Sequence, residues 1–179
     1  MGELVFSNAN QDKLKASARM LEKRKEIMLE QVKTGELHET SEKIVALFED
    51  PDFQKKLFDC GSVNEIKMLC SENELDLTED MITEMLKSAG ELLLSIEKND
   101  GELTEDELEQ IAGGWSLKGF LVGFAAGALI VATGLIYGAV TVGTGGVGGV
   151  AIAGAISAVL GTGVGMGAVS ATLLHLVGE

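Results

Sequence analysis

After Gly114 the chain almost runs out of charge. Of its 28 acidic and 14 basic residues, 27 and 13 lie in residues 1–114, which therefore hold the whole chain's net charge of −14. Residues 115–179 contain one Lys (Lys118), one Glu (Glu179) and sixteen of the 23 glycines, with Ala, Val, Leu and Ile filling most other positions. A polar, helix-forming part is thus joined to an apolar, glycine-rich part, and any fold must accommodate both.

The polar part reads as helices throughout. Residues 11–33, "QDKLKASARMLEKRKEIMLEQVK", are free of Gly and Pro and rich in strong helix formers. Leu14, Ala18, Leu21, Ile27 or Met28, and Val32 give one apolar stripe, and "KTG" at Lys33 to Gly35 is the stop. Two short helices should meet at Asp50-Pro51, since Asp caps well and Pro suits the first helical position. Ser62 with Glu65 forms a capping box, and another helix starts at Thr78. Its residues Met81, Ile82, Met85, Leu86, Leu92, Leu93 and Ile96 keep helical spacing until Asn99-Asp100-Gly101 breaks the run. Residues 38–97 are expected to form a small helical bundle.

A last, very short helix precedes the junction. Thr104 and Glu107 form a capping box, and acidic residues in the first turn suit the helix dipole. Leu103, Leu108 and Ile111 fall within a fan of roughly 140° on a helix. So short a helix is marginal alone in water and should firm up only against a partner. Gly113 and Gly114 follow, two residues that can enter a channel too narrow for side chains.

The combination "LTEDELEQIAGG" closely resembles the double-glycine leader of exported bacteriocins and related peptides. Leu103, Thr104, Glu107, Leu108, Ile111, Gly113 and Gly114 match that pattern position by position. Upstream, "LFEDPDFQKKLFDCGSVNEIKMLCSENELDLTEDM" resembles the nif-eleven-like (nitrogen-fixation-protein-like) leader peptides of ribosomally made natural products, with Asp76 to Asp80 supplying the "D-L-T-E-x-x" helix start. The likeness covers about residues 41–114 and does not account for the helix at 11–33.

This resemblance implies a peptide natural product precursor of three segments: an N-terminal amphipathic extension (1–37), a leader (38–114) and a core peptide (115–179). It implies a peptidase-containing ABC transporter as partner, with its cysteine peptidase gripping Leu103, Thr104, Glu107, Leu108 and Ile111 and cutting between Gly114 and Trp115. The catalytic Cys and His would belong to the transporter. The precursor would be cytoplasmic in a bacterium, and the antimicrobial core secreted and membrane-associated.

The apolar third carries its own expectation. Phe120 to Tyr137 is eighteen residues without a charge or a strong polar group beyond Thr133, at the lower edge of what spans a bilayer. Trp115, Lys118 and Tyr137 flank it as interface anchors would. "TVGTGGVGG" at 141–149 reads as a flexible turn, and Val150 to Val177 is apolar again. The expected fold is therefore all-α, a small acidic helical leader joined to a Gly-rich hydrophobic helical hairpin core at the membrane, with transmembrane character. Gly119, Gly123 and Gly127, with Gly134 and Gly138, repeat the GxxxG spacing that lets helices pack closely in lipid. The core has no Cys, so thioether rings are excluded. Other modification, head-to-tail closure and the need for a modification enzyme or a second peptide stay open.

Other classes fit poorly. Nucleic acid is excluded as a partner because phosphate binding needs clustered Lys and Arg, and the short "KRK" at Lys23 to Lys25 sits among Glu22, Glu26 and Glu30. "MGELVFSNANQDKLK" lacks the pattern of a secretory signal peptide. Cys60 and Cys70 lack metal-ligand spacing, and His175 near an apolar end reads as an interfacial residue, so no metal or cofactor is expected. "GTGGVGG" is followed by no GK[ST], and no set of nucleophile, base and orienter suggests an enzyme. The rival is an uncleaved small membrane protein of holin-like type, with an acidic cytosolic domain and a Gly-rich hairpin. In that reading Gly113-Gly114 is a linker.

Overall fold

A computed structural model describes residues 8–31, 37–99, 101–112, 120–141 and 148–161. These residues form eight helices and no strand, so the fold is all-α. In chain order the helices are α1 (Asn8–Gln31), α2 (Leu37–Glu49), α3 (Pro51–Phe58), α4 (Val63–Glu72), α5 (Glu79–Lys98), α6 (Glu105–Ala112), α7 (Phe120–Thr141) and α8 (Gly148–Val159).

The helix boundaries follow local chemistry. Asp50 accepts a hydrogen bond from the Phe53 N–H at 2.8 Å, and Pro51 opens α3. Ser62 caps α4 by accepting from Glu65 N–H at 3.3 Å. The Glu65 carboxylate accepts from the Gly61 N–H at 2.7 Å, one residue short of the cap itself. Thr78 caps α5 by accepting from Met81 N–H at 3.3 Å. At the far end of α5, Gly101 adopts φ 94°, and its N–H donates to the Ile96 carbonyl at 2.8 Å. Glycine pays no Cβ penalty in that left-handed region, which is why the chain turns there.

The arrangement around α7 departs from the expected leader beside a membrane hairpin. Every residue from Gly123 to Thr133 is buried, as are Leu135 and Ile136. α7 lies against α1, α2 and α5, and α8 lies against α5 and α3. Among the described residues the two apolar helices pack mainly on the helices before the junction and little on each other. A helix apolar on every side has to be surrounded on every side, by lipid or by protein. Here protein covers Gly123 to Thr133, and among the described residues no helix is long and apolar enough to cross a membrane.

Helices α2 to α5 share their core with α1 and α7. One apolar core joins Leu14, Ala18 and Leu21 of α1, Phe48 of α2, Met85 of α5, and Leu129 of α7. The α1 stripe resolves in favour of Met28, which is buried, over Ile27, which is 38% exposed. Met28 sits two turns beyond Leu21 on the same side, whereas Ile27 is rotated towards solvent.

Candidate functional site

The site suggested by the sequence is α6 with the Gly-Gly that follows it. Gly113, Gly114 and Trp115 lie outside the described residues, as does Gly119. The five candidate grip residues are described, and the structure brings them together on one short helix and its entry.

Its cap is reciprocal. Thr104 Oγ1 accepts from Glu107 N–H at 3.3 Å, while the Glu107 carboxylate accepts from Thr104 N–H at 3.2 Å and from the Thr104 hydroxyl at 3.0 Å. Glu107 also accepts from the side-chain amide of Asn99, which donates in addition to the Ser95 carbonyl at 3.0 Å. The Asn99 contact, then the Thr104 backbone N–H, hold the Glu107 carboxyl below its ordinary range. Each donor stabilises the charged form.

The apolar face of α6 is turned inward. Leu103 is 3% exposed and Leu108 5%, and Ile111 packs on the same core while half-buried. A second attachment comes from α1. The buried Ser17 hydroxyl donates to the Gly101 carbonyl and accepts from the Leu103 N–H, both at 2.9 Å. Lys13 adds an exposed ion pair to Glu102 at 3.9 Å. The residues a peptidase would grip are thus occupied by the chain's own fold, with Thr104 left exposed.

The second candidate set, the spaced glycines, divides differently. Gly138 belongs to α7 by its backbone. At Gly123 an added Cβ would stand 2.7 Å from Ile44 Cδ1, at Gly127 2.9 Å from Met85 Sδ, and at Gly134 2.6 Å from Phe58 Cζ. Each glycine is a notch that receives a side chain of α2, α5 or α3. The spacing read as a membrane packing motif here faces the acidic part of the same chain. A cleft of about 390 Å³ flanks α7 near Thr133 and Gly134, rimmed by Glu22, Lys25 and Glu49, of which Lys25 and Glu49 are paired.

Three contributors were not visible in the sequence. Ser17 sits in "ASAR" with nothing to mark it, because its partners are 84 and 86 residues away. Asn99 reads only as a helix breaker, although its amide reaches Glu107. Gly90, inside α5, receives Ile156 and Leu160, with an added Cβ 2.7 and 2.8 Å from them.

Cys60 and Cys70 are free thiols and buried. Burial pushes both up, Cys70 to about 12, with Glu65 and Asp59 adding to the effect at Cys60. Neither has the thiolate character a nucleophile needs. Among the described residues no three His, Cys, Asp or Glu side chains stand together as metal ligands.

No protein-family model matches this chain, and neither the curated proteins nor the solved structures contain a significant match.

Proposed function

We propose that this chain is the precursor of a secreted, membrane-active peptide of bacteriocin type, in which residues 1–114 serve as leader and 115–179 as core. A peptidase-containing ABC transporter recognises Leu103, Thr104, Glu107, Leu108 and Ile111, cuts after Gly114 and exports the core to act at membranes. The chain itself is substrate, with no cofactor. Within this reading the apolar third becomes a membrane hairpin only after release.

One observation carries the reading beyond the motif: residues Gly123 to Thr133 of the uncharged helix α7 are all buried, packed against helices of the acidic part. An apolar segment with that composition would partition into the producer's own membrane if left uncovered. Enclosing it in a shell with net charge −14 keeps it dispersed in water. Protection by the leader is then a matter of packing and not only of attachment.

The same enclosure also favours a second reading, in which α1 to α8 are one uncut protein and Gly113-Gly114 is a linker, as in the holin-like alternative before it meets a membrane. Expression in a bacterial host separates the two. Residues 115–179 alone should arrest growth and depolarise the membrane, whereas the full chain at equal abundance should do neither. Harmlessness of both, with the core found folded in the cytosol, would remove the precursor reading.

A further inference from the structure

The packing between the two parts of the chain is reciprocal. On α7 the notches at Gly123, Gly127 and Gly134 admit Ile44, Met85 and Phe58 from the acidic part. On α5 the notch at Gly90 admits Ile156 and Leu160 from the apolar part. Knobs and notches therefore run in both directions across the junction. Gly154, on the outer side of α8, meets nothing within 4 Å and is exposed, so the notches follow the contact face and not glycine content alone.

We propose that helices α1 to α6 form a receptor for the apolar helices α7 and α8, and that cutting the chain at the junction leaves a stable two-fragment complex instead of a free apolar peptide. The occupant of the receptor is this chain's own apolar segment. Burial of Gly123 to Thr133, eleven consecutive residues of α7 packed against α1, α2 and α5, is what holds it. The covalent connection contributes an effective concentration, of the order of mM for a short linker. A docked-to-open ratio above about 10⁵ in the intact chain therefore keeps the cut complex together at micromolar protein.

The complex itself does not depend on how the chain is used. Its consequence, that release of the core is a step separate from cleavage and needs a pull from a transporter or a membrane, rests on the precursor reading above. Cleavage without release would leave the producer protected.

The test inserts a site for a sequence-specific protease between Gly114 and Trp115 of the full chain, removing no native residue. The folded protein is cut in detergent-free buffer and passed through a gel-filtration column at micromolar concentration. Both fragments should leave the column together at the volume of the uncut chain, with both masses in one peak. Elution of the acidic fragment alone, with the apolar fragment lost to precipitate, overturns the proposal. Combining the site with Gly90→Leu or Gly127→Leu should speed separation on dilution at least tenfold, while Gly154→Leu should leave it unchanged. Equal separation rates for all three would remove the notches from the account.

Should the altered junction prevent folding, the unaltered chain decides the matter by hydrogen exchange in urea. The amides of α7 and α5 should lose protection at one common urea concentration. Loss from α7 at distinctly lower urea would show that the receptor does not hold it. Either failure leaves cleavage after Gly114 standing, which is read separately from the secreted mass.

Discussion

Ser17 offers a single hydroxyl to two buried backbone groups that no helix satisfies, the Gly101 carbonyl and the Leu103 N–H. Leaving buried groups unpaired costs about 1–3 kcal/mol, and Ser17→Ala leaves two. That variant should lose about that much stability in a urea titration, with faster exchange at Leu103 than in the parent. Under the proposed function it should also be cut faster, because α6 leaves the bundle more readily. Glu107 gives a pH signature. Its folded-state value lies below the ordinary 4.5, so its contribution is fully present above that pH and is lost as pH falls through the lowered value. A carbon-detected titration should place Glu107 below the ordinary glutamate value, and Asn99→Ala should move it back up. The two thiols should resist alkylation in the folded chain and react on unfolding, since both are buried with raised values. Labelling at the rate of a free thiol in native buffer would contradict the burial.

Among the elements, the helices themselves were readable from local chemistry, and what the apolar helices pack against was not. Asp50, Ser62, Thr78 and Thr104 act as caps where the sequence places them, because a cap needs only residues within three positions. The position of α7 was not readable. A run from Phe120 to Tyr137 without charge has the same appearance whether lipid or protein surrounds it, and only α1, α2 and α5 decide which. The glycines of α7 and α8 distinguish contact from chance. Gly154→Ala should stabilise by about 0.5–1 kcal/mol, the usual helix gain where nothing is displaced. Gly90→Ala meets both Ile156 and Leu160, and overpacking of about 1–3 kcal/mol should outweigh that gain. Thermal melts of the two variants should move in opposite directions. α1, which the leader resemblance does not cover, supplies both a wall for α7 and the Ser17 attachment. Its function lies in contacts that no pattern within 11–33 could reveal.

On the scale of the molecule, the acidic part and the apolar part share one core, so the junction joins two halves of one packed body. The candidate site was legible as a motif because its residues are consecutive, from Leu103 to Gly114. That its apolar face is already engaged was not legible, since Leu103 and Leu108 look the same free or buried. The account therefore holds that the chain is built to be covered first and cut later. The measurement that bears on this most directly is the intact mass of the smallest product of this chain in the medium of the organism that makes it. The account predicts a mass equal to residues 115–179, with any offset reporting modification or ring closure. Finding only the full-length chain, and only inside the cell or in its membrane, would contradict it and leave α1 to α8 as one uncut protein.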